Sequence, residues 1–254
     1  MKRLAWAAVF AVAATATLAQ TAPRKPPVPP GPPTRGFAVA LLSDGIDYTR
    51  PGIAAKLARD GEGEIVGWDV VDDDRRPFLR DGPATRMVEI APVLVAPYRL
   101  ETASVASWTK ALQALARSPA RVAVLAVTTV DLARIDGVPV AMAALRDVLF
   151  IVPAGEADAV ARPDNVLVVA ALGVTPSGDG GSIDLVVAPV SATREAPLSG
   201  TLPSTSSEAA MLAAGLLACV DLKAARTPSD VKRALLAGSQ KGPVGQPPIM
   251  SPCR

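Results

Sequence analysis

The sequence predicts an α/β fold whose sheet is mainly parallel and carries helices on both faces. Three observations support this. Apolar runs of strand length alternate with stretches of helical period. Several runs, such as RVAVLAVT over 121–128, are apolar at nearly every position, as strands covered on both faces are. The connections between them are long enough for helical crossovers, which parallel pairing requires. The 254 residues, 50% of them hydrophobic, suffice for one domain of about 200 residues.

Taken in order, strands are expected over Phe37–Leu42, Glu64–Val71 and Pro92–Leu100, the last with prolines near its ends. Ala103–Arg117 has helical period, Arg121–Thr128 reads as a buried strand, and Val138–Asp147 is helical again. Strands follow at Val148–Val152, Val166–Ala171 and Ile183–Ala188. Two helices close the domain. Thr205 and Glu208 form a capping box ahead of Ala209–Cys219. Thr227 caps the second helix, with Pro228 at its first position, Asp230 in its first turn and a stop at Gly238.

The ends of the chain read differently from the middle. Met1–Ala19 has the form of a secretory signal peptide: Lys2 and Arg3, then an uncharged Ala-rich stretch, then the small residues Thr17 and Ala19 before the cut. Its apolar run is shorter than the roughly 20 residues a membrane span needs. The expected location is therefore outside the cytoplasm, in the periplasm or beyond, with no span after cleavage. Residues 20–35 contain PRKPPVPPGPPTR, expected to be an extended, semi-rigid tether outside the fold. The domain is placed at 36–240 and a C-terminal tail at 241–254. Export permits a disulfide between Cys219 and Cys253. Two unpaired thiols fit equally, since Cys219 lies in an apolar helical run.

Composition excludes several chemistries. Without Lys2 and Arg3, the 26 basic residues fall to 24, against 24 acidic ones, a balance that gives no electrostatic case for nucleic acid. There are no histidines, which rules out Ser-His-Asp and Cys-His catalysis and any His-ligated metal. Two cysteines cannot make a four-Cys zinc site, and no metal or cofactor is expected. The acidic run Asp72–Asp74 is followed at once by Arg75 and Arg76 and reads as a solvated loop. The glycine-rich SGDGGS at 177–182 reads as a turn, and Trp68 and Trp108 as core.

The order of segments resembles the subtilisin-like serine peptidases (subtilases). VALLSDGIDY at 39–48 is similar to the first catalytic strand, VAVIDTGID in that family, and GWDVVDDDRRP at 67–77 to its GWDFV…NDP segment. DGPATRMVEIA at 81–91 falls where the family has NGHGTHVAGIIA, and residues 91–99 resemble its APxAxLxPVRV strand. VLFIVPAGE at 148–156 stands for VLVVAAAGN, DNVLVVAAL at 164–172 for PNVIAVGA, and 181–190 for VDVAAPG. Leu202–Gly215 lies where SGTSMATPHVAG is expected, and Leu222–Leu236 resembles the final LTPAQVRQALL helix. The resemblance spans about residues 37 to 240 and implies a three-layer subtilisin-like fold.

The departures fall on the chemistry. On this alignment the catalytic aspartate position holds Ser43, with Asp44 one place on, and a one-residue shift along a strand turns a side chain to the other face. The catalytic histidine position holds Pro83, and Pro92 shortens the helix behind it. The oxyanion-hole asparagine position holds Glu156. Only Ser206, at the nucleophile position, is kept. Loss of the base costs a triad enzyme about a million-fold in turnover. The resemblance therefore implies a pseudopeptidase that keeps a peptide- or protein-binding groove, built from about 124–129 and 152–155. Two other functions are carried as rivals: an active serine endopeptidase using Ser206 with an unrecognised base, and a structural or assembly protein of the cell envelope.

Overall fold

The computed structural model describes residues 25–34, 38–155, 163–172, 183–187, 205–217, 225, 227–239 and 249–250. The leader, the SGDGGS turn, Glu156, Cys219 and Cys253 lie outside these residues. Eight strands form one sheet: β1 Ala38–Ser43, β2 Trp68–Asp69, β3 Leu94–Arg99, β4 Val122–Leu125, β5 Leu149–Pro153, β6 Val166–Ala171, β7 Leu185–Val187 and β8 Ile249–Met250. Their order is β2-β3-β1-β4-β5-β6-β7-β8, and every neighbouring pair is parallel. The helices are α1 Ala84–Ile90, α2 Val105–Ala116, α3 Thr129–Ala133, α4 Val138–Ala144, α5 Thr205–Leu216 and α6 Pro228–Ala237. None of the described helices is long and apolar enough to cross a membrane.

Strand alternation divides the apolar residues between two cores. Val39, Leu41, Val122, Val124, Leu149, Ile151, Leu167 and Val169 face one side and pack with Met87 and Val88 of α1, most of α5, and Leu235 of α6. Ala40, Leu42, Ala123, Leu125, Phe150, Val152 and Val168 face the other and meet Trp108, Leu112 and Leu115 of α2, with Leu132 and Met142. Burial on both faces explains why these strands are apolar throughout.

Most expected elements are present with shifts of one or two residues at their ends. The run over Glu64–Val71 is the main exception. Only Trp68 and Asp69 join the ladder, beside Tyr98 and Arg99. The preceding residues turn back, with the Val66 amide donating to the Ala58 carbonyl, so they cannot also pair with β3. The short helix α3 and strand β8 were not expected. Yet Thr128 and Asp131 make a full capping box for α3. The box predicted for α6, Thr227 with Asp230, is also present. At α5 the helix already includes Thr205, and Glu208 reaches Arg86 of α1, its Oε1 lying 3.5 Å from Nε.

The proline-rich segment corrects an expectation. Residues 25–34 lie against the domain rather than outside it. The Lys25 ammonium donates to Asp69 at 2.5 Å and to the Arg76 carbonyl at 2.9 Å, and lies 2.8 Å from Asp72 and 3.1 Å from Asp74. The buried phenol of Tyr48 donates to the Pro26 carbonyl at 3.0 Å. Buried Arg59 donates to the carbonyls of Pro29 at 2.6 Å and Gly63 at 2.8 Å. Gly31 sits so near this guanidinium that a Cβ would meet Nε at 2.4 Å, which explains the glycine within the proline run. Polyproline segments leave their carbonyls unpaired, and two of them are collected by side chains. The acidic run is correspondingly more than solvated loop, since Asp72 and Asp74 face Lys25.

Charge sets the pH window of this docking. Burial opposes the Lys25 charge, but bonds to Asp69, Asp72 and Asp74 outweigh it and raise the pKa above its ordinary 10.5. Lys25, then Arg99, holds the Asp72 carboxyl below its ordinary range. The Asp72 contribution is thus complete above the unfolded value and lost as pH falls through the folded one, while the Lys25 contribution is lost only above its raised value. Lys25→Ala is expected to speed hydrogen exchange of the Thr34 amide, which donates to the Arg59 carbonyl, by roughly tenfold at pH 7, the scale of one charged hydrogen bond. Acidification below about pH 4 should lower the protection factor of the same amide in the wild type, measured against the intrinsic exchange rate at that pH. Unchanged Thr34 protection in both cases would show that the ion cluster does not hold the segment.

Gly215 fixes how α5 meets α1. A Cβ there would overlap Cγ of Pro92. Gly215→Ala should therefore lower stability by about 1–3 kcal/mol, the usual cost of overpacking, read by urea denaturation; a change below 0.5 kcal/mol would mean the helices separate freely.

Candidate functional site

In a doubly wound sheet the crevice opens at the carboxyl ends of the strands, where strand order reverses. The reversal lies between β1 and β4, because β2 and β3 extend the sheet on one side of β1 and β4 to β8 on the other. A cleft of about 580 Å³ occupies that place. It is lined by Asp44 after β1, Ala126–Thr128 after β4, Pro83 and Met87 at α1, Ser207 in the first turn of α5, and Asp131, Arg134 and Ile135.

The α1–α5 contact sets which side chain of α5 reaches the cleft. Glu208 and Gly215 are seven residues apart and share a face, Glu208 meeting Arg86 of α1 and Gly215 meeting Pro92 just after that helix. One residue earlier, about 100° round the helix, Ser207 faces the cleft. Ser206, a further residue back, is not among the residues lining the cleft, and both serines are buried, at 4% and 2% exposed. A signal for this was present in the sequence. Counted back from the terminal glycine of SGTSMATPHVAG, the family's serine falls eight residues earlier, which from Gly215 is Ser207.

At β1 the strand ends on Ser43, which is fully buried and whose Oγ accepts the Gly45 amide at 3.2 Å. The chain bends at Asp44, so strand alternation no longer governs it, and Asp44 lines the same cleft as Ser207. Its carbonyl accepts from Arg99 Nε at 3.2 Å. Burial pushes its carboxyl above the ordinary 3.8, opposed by its own backbone N–H and by the Arg99 charge. Pro83 stands as N-cap of α1, and the helix is only seven residues long, ending just before Pro92 as expected.

The remaining ionisable groups have other tasks. Asp131 accepts from the Thr128 hydroxyl at 2.8 Å in the cap of α3, and Arg134 is an exposed partner 3.9 Å from it. Glu89 is held by Arg50 at 3.5 Å and Arg86 at 3.2 Å. Lys56 donates to the carbonyls of Glu89 and Ala91 at the end of α1, and Lys232 to the Val166 carbonyl. Neither lysine lines the cleft. Among the described residues no group of three or more acidic or cysteine side chains is arranged to hold a metal ion. The cleft therefore brings together, among the described residues, the buried Ser207, the Asp44 carboxyl with its raised pKa, a polar rim of Thr102, Thr128, Asp131 and Arg134, and apolar walls.

Because the folded pKa of Asp44 is raised, its contribution to stability is present below the unfolded value and lost as pH rises through the folded one. Asp44→Asn is expected to stabilise the domain at pH 7 relative to the wild type and to lose that advantage near pH 3. Equal stability at pH 7, with an Asp44 carboxyl resonance titrating at or below 3.8, would show the side chain to be solvated.

No protein-family model matches the chain, and no curated protein matches it. Among solved structures, one that matches is a cold-adapted subtilisin-like serine proteinase, with a TM-score of 0.53 and 17% sequence identity, over 85% of this chain and 89% of that one. The likeness establishes the subtilisin-like fold.

Proposed function

We propose that this chain is an exported, subtilase-related domain that no longer hydrolyses peptides and holds a peptide or protein segment in the cleft between β1 and β4. The observation that carries this reading is the composition of the cleft wall around Ser207. Among the described residues that line the cleft, the one side-chain nitrogen group is the guanidinium of Arg134, which stays protonated at any accessible pH. A serine hydroxyl without a general base is a very weak nucleophile. Peptide binding has no such requirement, because an extended segment is recognised by main-chain hydrogen bonds and by pockets for alternate side chains. Met87, Ala103, Ala126, Val127 and Ile135 supply an apolar lining for one such pocket.

A second reading has its own support. Asp44 and Ser207 share the cleft, and a carboxyl with a raised pKa is the kind of group that could take a proton from a serine under acid conditions. A fluorophosphonate serine-hydrolase probe, applied to the folded mature protein between pH 4 and 9 beside Ser206→Ala and Ser207→Ala, separates the two. Absence of labelling is expected. Labelling abolished by Ser207→Ala or by Ser206→Ala would establish an activated nucleophile and overturn the pseudopeptidase. Peptides selected from a random decapeptide library should bind Ser207→Ala as well as the wild type and should lose at least tenfold in affinity to Ala103→Trp, which fills the cleft from an exposed position.

A further inference from the structure

A second and larger concavity lies on the α2 side of the sheet, along its β2–β3 edge. It encloses about 1270 Å³ and is bordered by Ala38, the first residue of β1, whereas Asp44 follows the last. It shares no lining residue with the cleft near Ser207. Its apolar floor includes Ile65, Val66, Trp68, Val70 and Tyr98. Trp68 is only half-buried, in contrast to Trp108, which is fully enclosed in the core as expected.

The charges around this floor are unevenly placed. On the wall formed by the 58–75 segment, Arg75 is paired with Asp60 at 3.2 Å, and Arg59 is occupied by carbonyls. The facing wall is the end of α2 and its link to β4. Lys110, Ala114 and Arg117 recur there at helical spacing, and Arg121 follows. All three cations are exposed, and none is paired with a carboxylate among the described residues. The acidic side chains lining the cavity, Asp60 and Asp73, belong to the other wall. Arg117 complements the carboxyl end of α2, but that effect fades within a turn and accounts for neither Lys110 nor Arg121.

We infer that this cavity is a binding site for an anionic amphiphile, with a carboxylate or phosphate head at Lys110, Arg117 and Arg121 and an acyl body over Trp68 and Tyr98. The volume exceeds what a drug-sized ligand fills, roughly 300–1000 Å³. Neutral apolar ligands would leave the cationic wall without a counter-charge, and cationic ones would be repelled by it. The site is independent of the cleft near Ser207 and does not rest on the function proposed for it.

The test uses four probes with the same ten-carbon tail, each below its micelle concentration: decanoate, decyl phosphate, decanol and decylammonium. Calorimetry on the mature protein is combined with the indole N–H resonance of Trp68. One or both anions should bind saturably, with a dissociation constant on the order of 10 µM, and shift the Trp68 signal while leaving that of Trp108 in place. Preference for the phosphate points to a lipid head group, and preference for the carboxylate to a free fatty acid. Decanol should bind at least tenfold more weakly and decylammonium not measurably. The triple variant Lys110→Glu, Arg117→Glu, Arg121→Glu changes only exposed positions and should lose at least tenfold in anion affinity with its thermal midpoint nearly unchanged. Should the triple variant unfold, Lys110→Gln alone, expected to lose about threefold, keeps the test open. Failure of both anions to bind, equal binding of all four probes, or anion affinity untouched by the substitutions would overturn the assignment.

Discussion

Burial of a parallel sheet on both faces is the constraint from which the rest of this structure follows. Each strand must be apolar at successive positions, and helices must lie on both sides to cover them. In β1, Val39 and Leu41 belong to one core while Ala40 and Leu42 belong to the other, and the same division repeats in β4, β5 and β6. Because β2 and β3 extend the sheet on one side of β1 before the chain crosses to β4 on the other, the helical layers part at the carboxyl ends of β1 and β4. A cleft at that position is a consequence of topology and needs no particular catalytic residue to exist.

The contacts that hold this subtilisin-like fold around the cleft are likewise independent of any catalytic group. The α1–α5 contact is held by close approach at Gly215 and by the Arg86–Glu208 pair, neither of which depends on a nucleophile or a base. Charges near the expected catalytic positions have been drawn into structural work. Glu89 serves two arginines, Lys56 caps the end of α1 and Asp131 caps α3. Asp44 and Ser207 share the cleft with apolar side chains such as Met87, Val127 and Ile135 and with the polar Thr102, Thr128, Asp131 and Arg134.

The proline-rich segment shows the same economy at the other end of the molecule. A polyproline stretch has no internal hydrogen bonds, so its carbonyls are available to neighbours. Tyr48 and Arg59 take two of them, and Lys25 anchors the start of the segment in a cluster of carboxylates that also binds Arg99. Pro33 and Thr34 then border the large cavity beside Trp68, so the segment contributes to its wall.

Much of this was legible in the sequence because it depends on local pattern. Strand β6 occurs over the very residues its apolar run marks, and Thr227, Pro228 and Asp230 start α6 as their chemistry requires. The absence of histidine fixes, without any coordinates, which catalytic systems this chain cannot use. Other features depend on contacts between residues far apart in the chain. That Ser207 rather than Ser206 lines the cleft follows from the packing of α5 against Arg86 and Pro92, a register that the spacing to Gly215 signals but the helix's own period does not. Only the bend after Ser43 brings Asp44 to the same cleft, because alternation predicts facing solely within a strand. The docking of Lys25 could not be read at all, as it joins residues 44 to 49 positions apart through charge, which carries no sequence periodicity. Local propensity and composition thus determined the elements and excluded the chemistry, while tertiary packing decided which side chains meet, because facing and long-range pairing are properties of the assembled sheet and helices.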